Sequence, residues 1–337
     1  MTNIEAIGRQ LAEVIKGYNA DYIEARLEQN RTSHITYRGK GLESIGKATA
    51  AGGNVRALAR GGWGFASFNN LNELPSRVAL AVEQAQFVGS EESKLAAVEP
   101  VVDIVPGEVG KNPVTIPLAE KKQLLDEYND IIWSTPKLQT SVIGYGDSHK
   151  KVIFLNSSGS YIEQERMDIT LRLTAIATDG SEVQQAGLSL GSSGDFSLIQ
   201  GLHQQVEQMA QRAVELLSAP QVKGREYTVV LDPVLAGVFV HEAFGHLSES
   251  DFVYENDRLR EIMTLGKKFG SAELNIVDSA AMPGLRGSYK YDDEGVPATK
   301  TYLIREGKLV GRLHSRETAA KMNEKPTGNA RAINYGY

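Results

Sequence analysis

The sequence predicts an α+β protein. It reads as an N-terminal helix–antiparallel meander–helix unit, a second similar unit, and a C-terminal mainly β domain that carries a histidine motif on a helix. Two observations carry that prediction. Hydrophobic residues run at helical spacing, switch to alternation and return to helical spacing, and this cycle occurs twice. Between the cycles the periodicity lapses among Pro100, Pro106, Pro113 and Pro117, as in an extended crossing segment.

In the first unit, residues 1–89, the opening helix places Ile4, Ile7, Leu11, Val14 and Ile15 on one stripe. Ile23, Ala25 and Leu27 then alternate with Glu24, Arg26 and Glu28, the pattern of a half-buried strand. Short alternating stretches at 33–38, 42–48, 54–59 and 63–69 follow, each bounded by glycine or a polar turn. Leu74, Val78, Val82 and Ala85 restore the helical period over 73–88. Residues 90–117 form the linker. The second unit, 118–219, opens with a helix over 118–133, continues with strands near 137–145, 151–156, 160–178 and 182–190, and closes with a long helix over 196–217. That helix has Phe196, Ile199, Leu202, Val206, Met209, Ala213 and Leu216 on its apolar face. Pro220 marks the boundary at 218–224, and the C-terminal domain occupies 223–337. There a buried strand over 227–231 is expected to run straight into a helix, with Asp232 as N-cap and Pro233 at the first helical position. Stretches 302–304 and 309–313 flank Gly307 as a hairpin. The apolar and aromatic stretch 329–337 closes no helix or turn, so the domain reads as truncated.

Composition narrows the function. The 337 residues contain no cysteine, which excludes a disulfide framework, a cysteine nucleophile, an iron–sulfur cluster and a thiolate zinc finger within this chain. Lys and Arg number 36 against 42 Asp and Glu, a net charge of −6 that argues against binding nucleic acid. No signal-peptide core or membrane-length apolar run occurs, and a cytoplasmic protein is expected. The stretch 41–48 approaches a phosphate-cradling loop, but Ala48 replaces the required Ser or Thr, and Gly52 and Gly53 would break the helix that must follow.

One constellation stands above this background: His241, Glu242 and His246, in the order H-E-A-F-G-H. Histidine is scarce, at six residues, and here two bracket a glutamate at the end of an apolar helix. In zinc sites of the H-E-x-x-H type the histidines lie four apart, on one helix face. A spacing of five puts them about 140° apart on a regular helix at ~3.6 residues per turn, so convergence requires an inserted residue, as in a π-bulge, or a helix end at Gly245. If the two histidines hold a metal, Glu242 is the natural general base for a water the ion acidifies, and the expected reaction is hydrolysis of a carbonyl-centred bond such as a peptide. Otherwise this is a helix end whose histidines hydrogen-bond locally while Glu242 is solvated. A third ligand is left open among Glu249, Asp251, Glu255, His314 and the acidic cluster of Asp292, Asp293 and Glu294.

These residues carry a resemblance. Asp232 and Pro233 leading into His241, Glu242 and His246 resemble the H-E-x-x-x-H signature of the TldD/PmbA family, also called modulator of DNA gyrase. Tyr291-Asp292-Asp293-Glu294-Gly295-Val296-Pro297, the hairpin near Gly307, Pro326-Thr327-Gly328-Asn329-Ala330-Arg331, Gly53-Asn54-Val55-Arg56 and Gly62-Trp63-Gly64-Phe65-Ala66 support it. The likeness covers essentially the whole chain, and the histidine motif places it on the TldD side. The resemblance implies a cytoplasmic zinc metallopeptidase acting on unfolded or short peptides, with a PmbA/TldE-type partner subunit or a second copy closing a dimer. It implies His241 and His246 as zinc ligands and Glu242 as catalytic base, with an extended substrate added to a strand edge. It also implies a cysteine ligand beyond the position matching Tyr337, which this chain lacks. The expectation is therefore a weakly bound or empty zinc site and low activity. The competing expectation is a catalytically silent interaction or modulator subunit on the same scaffold.

Overall fold

A computed structural model describes residues 4–70, 73–89, 93–107 and 109–336. Its elements in chain order are α1 (Ile4–Val14), β1 (Tyr22–Arg38), β2 (Gly41–Ala59), β3 (Gly62–Phe68), α2 (Leu74–Val88), β4 (Val102–Val105), α3 (Leu118–Ser134), β5 (Leu138–Asn156), β6 (Tyr161–Asp179), β7 (Glu182–Ser192) and α4 (His203–Leu216). There follow α5 (Pro233–Val240), α6 (Ser250–Glu255), α7 (Asp257–Ile262), β8 (Ile276–Ser279), β9 (Lys300–Arg305), β10 (Lys308–Leu309) and α8 (Arg316–Met322). Mixed helix and antiparallel sheet is the fold class the alternating periods predict.

The two predicted meanders join into one sheet of order β3-β2-β1-β5-β6-β4, with β7 also paired to β6. Strand β1 pairs with β5 along nearly its whole length, Ala25 opposite Leu155 and Ile35 opposite Tyr145. Its 17 residues reach about 56 Å at ~3.3 Å per residue, long enough for two helix pairs to pack end to end on the same face. Toward one end α1 and α2 cover Ile23, Ala25, Leu27, Val55, Ile153 and Leu155. Toward the other α3 and α4 cover Ile35, Tyr37, Ile143, Tyr145, Leu171 and Leu173. Between these cores Lys121 is sunk among polar groups, donating to Ser33 Oγ (2.9 Å) and Asp147 Oδ2 (2.5 Å).

The sequence placed turns where the strands run on. The stretches at 23–28 and 33–38 form the single strand β1, and 42–48 and 54–59 form β2. Gly52 and Gly53 serve close approach rather than turning: a Cβ on Gly53 would sit 2.5 Å from the Arg26 carbonyl, and one on Gly52 would meet the Tyr335 ring at the same distance. The expected helix over 196–217 is interrupted because Gly201 adopts φ +70°; Phe196–Ile199 is a 3₁₀ turn and α4 starts at His203. Part of the expected linker is strand β4, parallel to β6; its residues 90–92 and 108 lie outside the described residues. The expected buried strand at 227–231 does not form. Val229 is 67% and Val230 99% exposed, and among the described residues no strand pairs with the segment.

In the C-terminal part a three-stranded antiparallel sheet, β10-β9-β8, and short helices enclose a small core of Phe244, Val253, Met263, Ile276, Ile304 and Leu309. Glu306 and Gly307, at φ +49° and +76°, make the β9–β10 turn. This part sits on the second face of the large sheet, which carries Glu24, Arg26, Arg56, Gln164, Arg166 and Asp168. Arg26 pairs with Asp293 (2.7 Å), Arg56 bridges Glu24 (2.6 Å) and Glu294 (3.2 Å), and Arg286 pairs with Asp168 (2.8 Å). Gln164 both donates to the Tyr291 carbonyl and accepts from the backbone N–H groups of Lys290 and Tyr291.

Helix α2 lies so close to β3 that a Cβ on Gly64 would run into the Ala81 carbonyl, whereas one on Gly144 would meet nothing within 4 Å. Gly64→Ala is therefore expected to cost about 1–3 kcal/mol in urea unfolding, and Gly144→Ala to change stability by no more than about 0.5 kcal/mol. Equal effects at the two positions would contradict the α2–β3 contact.

Candidate metal centre

Asp232 accepts from the backbone N–H groups of Val234 and Leu235, each at 2.9 Å, and Pro233 occupies the first helical turn, so α5 starts as the sequence predicts. Its apolar residues are not buried. Val234 is 79% and Phe239 60% exposed, contrary to the expectation of a helix backed by a buried strand, because no described residue packs over them. What anchors the helix end is Phe244, buried in the C-terminal core and edge-on to Phe269 at 5.3 Å between ring centroids. Ser248 Oγ adds a bond to the Phe244 carbonyl (2.9 Å).

Helix α5 passes into a π-helical turn, His241–Gly245, and then a 3₁₀ turn, His246–Ser248. The His246 N–H bonds the His241 carbonyl, five residues back. The added residue per turn brings the second imidazole over the first: their centroids are 4.5 Å apart, with the planes at 67°. The Gly245 backbone does not need a glycine. It lies at φ −55° and ψ −57°, ordinary helical values, and a Cβ there would find nothing nearer than 3.7 Å.

His241, Glu242 and His246 each offer a ligand atom, and these atoms lie within 4.8 Å of one another, an arrangement able to hold a metal ion. Glu242 Oε2 is 4.0 Å from His246 Nε2. His246 Nδ1 is 2.8 Å from Glu249 Oε1, an acceptor that favours the proton on that nitrogen and leaves the Nε2 lone pair free to bind a metal. Two imidazoles and a carboxylate suit a zinc-like divalent ion, and all three side chains are exposed.

The other ligand candidates are otherwise engaged or lie outside this group. Buried His314 meets Glu324 (3.1 Å), Ser250 (3.2 Å) and Thr318 (3.2 Å). Glu294 accepts from Arg56 and from the Arg316 N–H, and Asp293 pairs with Arg26. Asp292 accepts from the backbone of Glu294, Val296 and Ala330. Asp251 and Glu249 line a cavity of about 630 Å³ beside His241, together with Tyr289, Asn329 and Arg331. Sequence reasoning passed over those last three as functional residues. Asn329 and Arg331 lie in a stretch that carries the family likeness and Tyr289 lies just before another, but no local spacing announces that they line one cavity with His241.

Burial, with Glu294 alongside, pushes the Asp292 carboxyl up to about 7 despite its three backbone donors. Between the ordinary value of 3.8 and about 7 the folded chain keeps a proton that the unfolded chain has released. Asp292 therefore favours folding at the acid end, and its contribution falls as pH rises through that window. Asp292→Asn is expected to flatten the decline of unfolding free energy between pH 4.5 and 7, measured by urea titration at several pH values. An unchanged slope would remove Asp292 as its source.

Models of three consecutive PmbA/TldA metallopeptidase domains match the chain: domain 1 over residues 23–86, the central domain over 111–219 and the C-terminal domain over 224–337. A metalloprotease of Synechocystis sp. is 47% identical, across 99% of this chain and 73% of that protein. The zinc metalloprotease TldD homolog of Saccharolobus solfataricus is 25% identical, across 94% of this chain and 70% of that protein. Among solved structures, TldE from Thermococcus kodakarensis superimposes with a TM-score of 0.72 at 18% identity, over 99% of this chain and 75% of that one. That last likeness is one of fold alone.

Proposed function

The chain belongs to the PmbA/TldD metallopeptidase family, and on that premise we propose that it is a TldD-type subunit that cleaves short or unfolded peptides with the help of zinc. The observation that carries this reading is the convergence of His241, Glu242 and His246 on a π-helical turn. His241 and His246 would hold the ion, as two neutral imidazoles suit it. When bound, zinc supplies Lewis-acid chemistry toward a peptide carbonyl and acidifies water at the site.

The remaining chemistry belongs to the chain. Glu242 stands next to His241 in sequence and 4.0 Å from the free nitrogen of His246, where a carboxylate takes a proton from the attacking water and returns it to the leaving amine. Glu249 holds the His246 ring by its other nitrogen and is a positioning residue. The cavity beside His241 supplies room for an extended peptide segment. A PmbA/TldE-type partner, or a second copy, is the assembly this reading favours. It is supported by the shared fold with a TldE protein and by the exposed apolar residues of α5 beside the motif.

Glu242→Ala tests the reading. Peptide cleavage by the zinc-saturated chain, assayed with and without a PmbA/TldE-type subunit, is expected to fall by at least about 10²-fold. Zinc stoichiometry should stay that of the parent, whereas His246→Ala should lose the metal and a chelator should abolish cleavage in the parent. A parent that cleaves no peptide under any of these conditions, or a Glu242→Ala variant as active as the parent, would instead mark a catalytically silent interaction subunit.

A further inference from the structure

The cavity beside His241 has a neighbour. A second, smaller cavity of about 140 Å³ shares Tyr289 and Arg331 with it and extends along the charged face of the large sheet. Four cations line it: Arg26 on β1, Lys150 on β5, Arg166 on β6, and Arg331. Two carboxylates, Asp168 and Asp293, line it as well, but both are already engaged. Asp168 accepts from Arg286 Nε (2.8 Å) and Nη2 (2.9 Å). Asp293 pairs with Arg26 and also accepts from the Ala332 N–H (2.8 Å). Lys150 is held by Glu28 at 3.0 Å.

Positive charge is left over. Arg166 donates to the Arg286 carbonyl (2.8 Å) and Arg331 lies over the Tyr289 ring (4.8 Å). Among the described residues neither has a carboxylate within ion-pair reach. Burial, and after it the like charge of Arg331, holds the Arg166 guanidinium below its ordinary value. Arg26 is only 7% exposed, and its Nε has no hydrogen-bond partner. A buried guanidinium N–H without an acceptor is costly, and two further guanidinium groups facing the same small space repel one another unless an anion lies between them.

We propose that this cavity is an anchor for a peptide carboxylate, received by Arg166 and Arg331 with Arg26 beneath, so that the chain grips peptides by a negatively charged group while the adjoining cleft leads to His241. This rests on the peptidase reading for the identity of the ligand. A carboxylate fits because it is planar and accepts paired N–H bonds from guanidinium groups. Its source is either the free C-terminal end of the peptide or an Asp or Glu side chain, and the two are separable.

The test measures binding rather than cleavage. Metal-free protein, full chain, is titrated against one N-terminally fluorescein-labelled pentapeptide in three forms: free acid, C-terminal amide, and amide with glutamate as last residue. Fluorescence anisotropy is the readout. The free acid is expected to bind at least about tenfold more tightly than the plain amide, since one charge-assisted contact is worth that much. Arg166→Gln and Arg331→Gln should each shrink that preference to about twofold or less; Arg331 is exposed, so its variant keeps the fold. A glutamate-terminated amide that binds like the free acid assigns the anchor to side-chain carboxylates, and one that binds like the plain amide assigns it to chain ends. Equal affinity for acid and amide, a preference that survives both variants, or no binding of any form at millimolar peptide overturns the anchor. Because no bond is broken in the assay, an intact acid preference in a protein that cleaves nothing rejects only the peptidase reading. Cleavage without an acid preference rejects only the anchor.

Discussion

The charged second face of the large sheet is the constraint on which the rest depends. Its strands bury apolar side chains on one face under four helices, which leaves Glu24, Arg26, Glu28 and Arg56 on the other. Exposed to water, that row would be an ordinary polar surface. Here the C-terminal part lies on it, and Glu24, Arg26 and Glu28 are all less than 9% exposed. Desolvating so many charges is costly, and pairing offsets the cost only where geometry is met at each site. A sliding of the C-terminal part by one residue would separate Arg26 from Asp293 and Arg56 from Glu294 together. The lattice is therefore better understood as fixing position than as supplying net stability.

That reading explains why some of the fold was legible in the sequence and some was not. Helices α1, α2 and α3 follow from their stripes, because each packs one face on the sheet and its spacing records that burial. Individual strands were equally visible by alternation. Their continuity was not: Gln29, Asn30 and Arg31 look like a turn, yet they pair in unbroken register with β2 and β5 and form the polar middle between two cores. Glycines 52 and 53 misled for a related reason. They mark crowding by Tyr335 and the Arg26 backbone, contacts that depend on residues far away in the chain. Gly201 did break a helix; its positive φ and the open space around it set it apart from them. The apolar run at 227–231 is strand-like in composition, but composition cannot supply the neighbouring strand that pairing requires.

The candidate metal centre shows the same division. The need for one extra residue in the turn between His241 and His246 follows from spacing alone, and the π-helical turn is there. A permissive glycine is not its cause, since Gly245 has ordinary helical angles. Better candidates are the ties on either side: Phe244 set into the C-terminal core and Ser248 bonded back to it. Glu249, one of several acids a reader could count near the motif, is singled out only by its bond to His246.

Both layers contribute to the cleft. One end is set by the turn at His241, which is fastened through Phe244 to the C-terminal core. The other end is set by Arg26 and Arg166, which stand on β1 and β6. A ligand that spans the two reads the distance between two layers, so the accuracy of that distance is the accuracy of their docking. Side chains of arginine are long and would blur it if free. Here Arg26 is clamped between Glu28 and Asp293, and Arg166 is tied to the Arg286 carbonyl, itself held through the Arg286–Asp168 pair. The ion pairs that fix the layers are thus adjacent to the groups left unpaired at the cavity, and each partnered cation sharpens the position of an unpartnered one. A hydrophobic interface of equal area would tolerate small slips between the layers. A charged one resists them, which gives a chemical reason for burying so many ions beside the cleft.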